Sequence, residues 1–216
     1  MVKDGFWYAF GLVLVAGAVW AITGVIWLIL PPLLLALFAL WFFRDPERAI
    51  PQGPGLIVSP ADGIVTEAEW VETTLGSRLR VSIFLNVFDV HVNRVPISGI
   101  VTVVDYREGS FLNAGRAVSA IENEQTMIVV KNDECEVAFK QIAGLIARRI
   151  ICNLKVGDTV ERGARMGMIK FGSRCDVLIP AEANLKVGVG KRVTGGKTIL
   201  ATLPSADSED DADGGE

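Results

Sequence analysis

Leu154-Lys155-Val156-Gly157-Asp158-Thr159-Val160-Glu161-Arg162-Gly163-Ala164-Arg165-Met166-Gly167-Met168-Ile169 is the stretch that decides how the charged part of the chain folds. Glycines 157, 163 and 167 punctuate apolar residues, the pattern of a tight strand–turn–strand unit. On either side, short Val/Ile-rich runs at 55–59, 63–68, 79–85, 100–104, 126–131 and 136–142 are separated by Gly, Pro, Asn and Asp. That spacing predicts a β-dominated domain of short strands. Only 114–121 and 86–90 suggest brief helices.

The segment 157–163 resembles the turn of barrel-sandwich domains, lipoyl carriers among them. Pro60-Ala61-Asp62-Gly63, followed by Ile64-Val65, reads as a second such corner and suggests an internal duplication. The expected fold is therefore a barrel-sandwich-like, β-rich domain behind an N-terminal helical membrane anchor.

The anchor follows from the distribution of charge. Of 216 residues half are hydrophobic, and the formal net charge is −4. Residues 1–43 carry only Lys3 and Asp4, whereas 44 charges fall on the other 173 positions, the usual density of a soluble domain. Gly5 to Phe43 runs 39 residues without a charge, more than the roughly 20 that cross a bilayer once. Trp7, Tyr8, Trp20, Trp27, Trp41, Phe42 and Phe43 suit interfacial aromatic belts. A break near Thr23-Gly24 gives a hairpin of two short helices. A single span ending near Leu30, with Pro31-Pro32 turning 33–43 into an interfacial segment, is the alternative. Arg44 and Arg48 place the soluble domain in the cytoplasm by the positive-inside rule. A cleaved signal peptide and a buried core helix both fit less well. The organisation expected is an anchor over 1–43, a catalytic domain over 44–206 and a disordered acidic tail over 207–216. The tail holds six acidic groups, so the remainder is at +2 and lacks the basic excess of a nucleic-acid binder.

Cys135, Cys152 and Cys175 form no close pair and read as reduced thiols; zinc-ligand spacing is absent. His91 is the only histidine. In Asp89-Val90-His91-Val92-Asn93-Arg94-Val95-Pro96 the carboxylate and imidazole are two apart, which on a strand is one face. An Asp can orient a ring that takes up a proton. Ser173, after Gly172 on the exit of an apolar strand, is a second candidate, although the glycine-flanked serine elbow of hydrolases is absent.

Four ordered segments together resemble the phosphatidylserine decarboxylase family in its short bacterial and archaeal form. They are Phe42-Phe43-Arg44-Asp45-Pro46-Glu47-Arg48, Ser59-Pro60-Ala61-Asp62-Gly63, the stretch from Asp89 to Pro96, and Gln141 to Ile150 leading into Phe171-Gly172-Ser173-Arg174. The resemblance covers residues 42–180. It implies a membrane-bound proenzyme that cuts itself between Gly172 and Ser173, giving chains 1–172 and 173–216 held as a heterodimer, with a dimer of that pair left open. Ser173 Oγ would attack the Gly172 carbonyl, with His91, oriented by Asp89, as base. Residue 173 becomes a pyruvoyl group, an electron sink that replaces pyridoxal phosphate, and no metal is implied. The substrate implied is a phosphatidylserine-type membrane phospholipid, decarboxylated to the phosphatidylethanolamine type. An archaetidylserine-type ether lipid carries the same headgroup.

Arg94, Arg148, Arg149 and Arg174 are candidates for holding the lipid phosphate or carboxylate. Phe111-Leu112 reads as a lipid-inserting pair or a core pair. Two departures stand out: residues 110–116 lack the histidine of longer members, and the usual Asn-Glu-Arg is Asn123-Glu124-Gln125. The competing reading is a membrane-tethered carrier or adaptor. A lipoyl or biotinyl carrier needs an exposed lysine at a hairpin tip, and neither Lys155 nor Lys170 has the neighbours for it.

Overall fold

The computed structural model describes residues 2–73, 76–112, 119–145, 149–170 and 173–204. Gly172, Arg148, the tail 207–216 and most of the helix expected at 114–121 lie outside the described residues. The chain divides into two compact units, the described residues of Met1–Glu47 with Val87–Val90, and those of Arg48–Asn86 with His91–Glu216.

The first unit is helical. Helix α1 (Lys3–Thr23) ends where Gly24, at φ 64°, returns its N–H to the Trp20 carbonyl over 2.8 Å, a left-handed cap that glycine adopts without steric cost. A short 3₁₀ turn (Ile26–Ile29) leads into α2 (Leu30–Phe42), whose two prolines sit in its first turn, where no N–H partner is needed. The helices fold back on one another. The Val2 N–H donates to the Phe43 carbonyl over 3.0 Å, and the Tyr8 and Phe43 rings stack at 5.4 Å. Gly5 lies so close that a Cβ there would overlap Phe43. The helices thus break at Thr23-Gly24, as the hairpin reading expects. Among the described residues, only α1 is long and apolar enough to cross a membrane by length and composition, at about 31 Å. Residues 86–90 are a turn, not the brief helix expected: the Phe88 carbonyl accepts the Arg44 guanidinium over 2.6 Å, and its ring meets Trp41 edge-on at 6.0 Å. Arg44 also lies over the Trp41 ring at 4.0 Å.

The second unit is built of strands: β1 (Leu56–Val58), β2 (Gly63–Thr73), β3 (Gly76–Leu85), β4 (Val92–Arg94) and β5 (Gly99–Arg107). A single helical turn, α3 (Ser119–Glu122), precedes β6 (Gln125–Lys131), β7 (Glu136–Ile142), β8 (Ile150–Cys152), β9 (Thr159–Val160) and β10 (Arg165–Ile169). The last four are β11 (Ser173–Pro180), β12 (Asn184–Leu185), β13 (Arg192–Val193) and β14 (Ile199–Thr202). A curled half-barrel sheet runs β13-β2-β3-β11-β7-β6-β5-β9, with three-stranded sheets β4-β10-β8 and β1-β14-β12. Neighbouring strands in all three sheets pair antiparallel. The β-dominated expectation therefore holds.

The stretch 154–169 differs from a simple hairpin in one respect. Its two strands do not pair with each other: β9 joins β5 in the large sheet, while β10 joins β4 and β8 in the small one. Gly163, at φ 78°, is the corner where the chain changes sheets, its N–H given to the Val95 carbonyl over 2.8 Å. Arg162 braces this corner by donating to the carbonyls of Pro51, Gly53 and Leu56. Ile83, Ile128, Phe139, Met166, Val177 and Ile179 fill the interior, none more than 1% exposed, and burying each contributes about 1.5–3 kcal/mol.

Gly167 in β10 faces Cys152 of β8 so closely that a Cβ would overlap the Ile151 carbonyl oxygen. We expect Gly167→Ala to cost about 3 kcal/mol, since backbone must move. That lowers the melting temperature of the full chain in detergent by roughly 6–12 °C. Gly188→Ala, where a Cβ meets nothing within 4 Å, serves as control. Equal melting temperatures for the two variants would remove the close approach.

Candidate active site

Ser173 opens β11, the strand that lies between β3 and β7. It pairs with Leu85 of β3, whereas pairing with β7 begins one residue later, Arg174 opposite Ile142. The sequence places the serine at the exit of a strand; it stands instead at the entry of the next one, four residues beyond the end of β10. All eight residues of β11 are buried. Alternation along the strand sends Ser173, Cys175, Val177 and Ile179 to the interior and Arg174, Asp176 and Leu178 to the opposite face.

The interior side carries the nucleophile candidate. Ser173 is 0% exposed, and its Oγ has no hydrogen-bond partner among the described residues. Buried hydroxyls are normally paired, so an orphan of this kind calls for a chemical reason. Two residues on, the Cys175 thiol accepts from Asn93 Nδ2 at 3.6 Å. Asn93 Oδ1 accepts from Gln141 Nε2 at 2.9 Å, and Gln141 also donates to the Ile151 carbonyl at 3.3 Å. Burial, with the charge of Asp176 added, pushes the Cys175 thiol far up and keeps it neutral. Cys135, Cys152 and Cys175 are all free thiols.

His91 is fully buried immediately before β4. Its carbonyl receives the Ile169 N–H over 3.4 Å, at the end of β10 from which the chain runs on to Ser173. The chain therefore runs from β10, beside His91, into the strand that Ser173 heads, and Asn93–Cys175 ties β4 to that same strand through side chains. Asp89, 5% exposed, lies in the 87–90 turn and not on a strand, so the alternation that pairs it with His91 in sequence does not apply.

The four arginines separate. Arg94 is buried and donates to the Gly163 carbonyl at 2.9 Å. Arg149 is exposed, and its carbonyl accepts the Lys170 N–H at 3.3 Å; Arg148 lies outside the described residues. Arg174, 1% exposed, is fully engaged on the face away from Ser173. Its Nε donates to Asp176 Oδ1 at 2.6 Å, Nη1 and Nη2 to the two Glu67 oxygens at 3.2 and 2.7 Å, and Nη2 to Ser82 Oγ at 2.7 Å. Arg80 adds ion pairs to Glu67 and Glu69. Arg48 is likewise held within the domain, by Asp62 at 2.9 Å.

Phe111 packs against the core. Asn123 fixes the next residue by exchanging hydrogen bonds with the Leu112 backbone at 2.9 and 2.8 Å, and it also donates to the Ala143 carbonyl. Asn93, Gln141, Glu67, Ser82 and Asp176 were not singled out in the sequence. Asp176 sits at the i+2 spacing from Arg174 that signals a shared strand face; Glu67, 107 residues away, has no local signal. A hollow of about 320 Å³ lined by Pro54, Leu56, Ile97, Asn132, Glu134 and Arg162 contains none of the candidate residues.

A β-sheet carrier displays its attachment lysine on a hairpin tip, whereas the candidate residue of this chain is a serine buried at the head of a central strand. A family model for phosphatidylserine decarboxylase matches residues 35–201. The phosphatidylserine decarboxylase proenzyme of Solibacter usitatus (strain Ellin6076) is 49% identical over 201 residues, 93% of this chain and 96% of that one. That of Cupriavidus pinatubonensis (strain JMP 134 / LMG 1197) is 42% identical over 205 residues, 93% and 94% of the two chains, and that of Syntrophus aciditrophicus (strain SB) is 48% identical over 181, 82% and 85%. The chain belongs to the phosphatidylserine decarboxylase family.

Glu67 supplies a test of the charged face. Burial raises its pKa, but the hydrogen bond and charge of Arg174, then the charge of Arg80 and the Ser82 hydroxyl, outweigh it and hold the carboxyl below its ordinary value of 4.5. A depressed carboxylate stabilises the fold above its unfolded pKa and stops doing so as pH falls through the folded one. The melting temperature of the full chain should therefore drop between about pH 5 and pH 3, and Glu67→Gln should flatten part of that drop. An unchanged acid limb in the variant would count against the pairing.

Proposed function

We propose that this chain is a membrane-bound proenzyme that cuts itself between Gly172 and Ser173 and then decarboxylates a phosphatidylserine-type lipid to the phosphatidylethanolamine type, releasing carbon dioxide. The observation that carries this reading is the buried Ser173 hydroxyl without a partner among the described residues, at the head of β11. A hydroxyl so placed is available to its own backbone. Oγ attack on the Gly172 carbonyl carbon breaks the C–N bond and leaves an ester. Loss of the residue-173 α-proton then expels the Gly172 carboxylate, and water replaces the nitrogen as ammonia. His91, fully buried and adjoining the strand that feeds Ser173, is the group to take up and return protons, with Asp89 to orient it.

The site fits the pyruvoyl group this produces, because residue 173 is enclosed and the strand holds it in register from both sides within one residue. Such a ketone, bonded to the amine of the substrate, accepts the electron pair left when carbon dioxide departs. The residues of the chain exclude water, hold residue 173 and deliver a proton to the substrate α-carbon, the last through His91. The helical hairpin anchors the enzyme where its lipid resides, with the β domain on the cytoplasmic side. The 1–172 and 173–216 fragments remain one folded body. Diacyl and ether serine lipids present the same headgroup, and assay of both defines the tail preference.

Intact-mass analysis of the purified protein should find a 44-residue fragment, 173–216, whose N-terminus is blocked and reacts with hydrazines. Ser173→Ala should stay whole and inactive. An uncut wild type indistinguishable from that variant would falsify the reading. His91→Ala should slow cutting or decarboxylation by roughly 10²–10⁴-fold, and normal rates of both would remove it from the mechanism.

A further inference from the structure

We infer that Arg174 is a positioning residue: it pins the head of β11 to the body of the sheet, so that residue 173 keeps its place once the chain before it is cut. The inference rests on the reading that the cut falls between 172 and 173. That cut would turn the second residue of a new chain terminus into the first one held by strands on both sides, since Ser173 itself pairs only with Leu85. Terminal strand residues fray unless something beyond the ladder holds them. Arg174 supplies that hold. Its guanidinium grips both oxygens of Glu67 and the Ser82 hydroxyl, all on the 1–172 side of the cut, and Asp176 on its own side locks the fork in orientation. A planar fork on a carboxylate fixes geometry as well as distance.

The same contacts separate Arg174 from the lipid. Four donated bonds engage its Nε, Nη1 and Nη2, it is 1% exposed, and alternation puts it on the face opposite Ser173 and Cys175. The two carboxylates that Arg174 binds, Glu67 and Asp176, already occupy its guanidinium, so it has no free charge to offer a phosphate. Its role is therefore to hold the strand, where the sequence suggested the substrate.

The test uses the full chain in detergent, with Arg174→Gln, Arg174→Lys and the milder Glu67→Gln. In the cut enzyme Arg174→Gln should lower kcat about tenfold while KM stays within about twofold, and Arg174→Lys should recover part of kcat. Hydrogen exchange in the peptide spanning β11 should rise about tenfold in cut Arg174→Gln, yet change little when the same substitution is made in the uncut Ser173→Ala chain. An equal rise in both backgrounds means an ordinary structural contact and overturns the proposal. A KM raised about tenfold at constant kcat overturns it in favour of a substrate contact. Should Arg174→Gln fail to fold, the same comparison on Glu67→Gln decides. A variant left uncut beside a cut wild type would place the network before the cut and overturn the proposal too. If the wild type is never cut, the gel reports failure of the underlying reading before any kinetics are measured.

Discussion

The organisation of the second unit depends on one strand being buried on both faces. β11 takes hydrogen bonds from β3 on one side and β7 on the other, and none of its eight residues is exposed. A two-residue period then sorts its first four side chains. Ser173 and Cys175 enter the interior with the Asn93–Gln141 pair, and Arg174 and Asp176 enter a charged layer with Glu67 and Ser82. A slip of one residue would exchange the two sets, placing a guanidinium in the hydrocarbon core and a serine among carboxylates. The ion-pair layer therefore specifies register as much as stability.

That layer is expensive to build. Removing a guanidinium and a carboxylate from water costs several kcal/mol each before their attraction is counted, so a buried pair is weak evidence for stability alone. Here the cost is limited because Glu67 keeps a quarter of its side chain exposed and every Arg174 nitrogen finds an acceptor. Lys140, opposite Asp176 in register, shows the other side of the balance. Its pKa is lowered chiefly by burial, with Arg80, Arg107 and Arg174 adding to the effect and Asp176 opposing it.

Much of this was legible from local pattern and some was not. Val/Ile runs between turn residues mark β1, β2, β3, β5, β6 and β7, because a strand with one wet face alternates visibly. β11 escapes that signal: both faces are covered, so Ser-Arg-Cys-Asp shows no alternation of apolar and polar residues. The glycines of 154–169 identify turns, but whether Gly163 closes a hairpin or passes the chain between sheets depends on β4 and β5, more than fifty residues earlier in the chain. For the candidate site, the ordered motifs name Ser173 and His91, the residues on which the proposed function rests. The partners of Arg174 are invisible, since Glu67 comes from β2 and no spacing rule joins residues so far apart.

The same weave bears on what a cut before Ser173 would leave. Of the strands downstream, β11 pairs with β3 and β7, β13 with β2 and β14 with β1, so four ladders tie residues 173–204 to the rest. Breaking one peptide bond does not release a fragment held in this way; it frees only the strand's first residue. A buried hydroxyl left unpaired costs about 1–3 kcal/mol, and Ser173 Oγ and Gln141 Oε1 are both in that state among the described residues. Such a cost can persist only where the surroundings over-determine the strand, and the ion-paired layer on its opposite face, where every Arg174 nitrogen has an acceptor, provides that rigidity. The unpaired hydroxyl on one side of β11 is thus tolerable because its other side is closed.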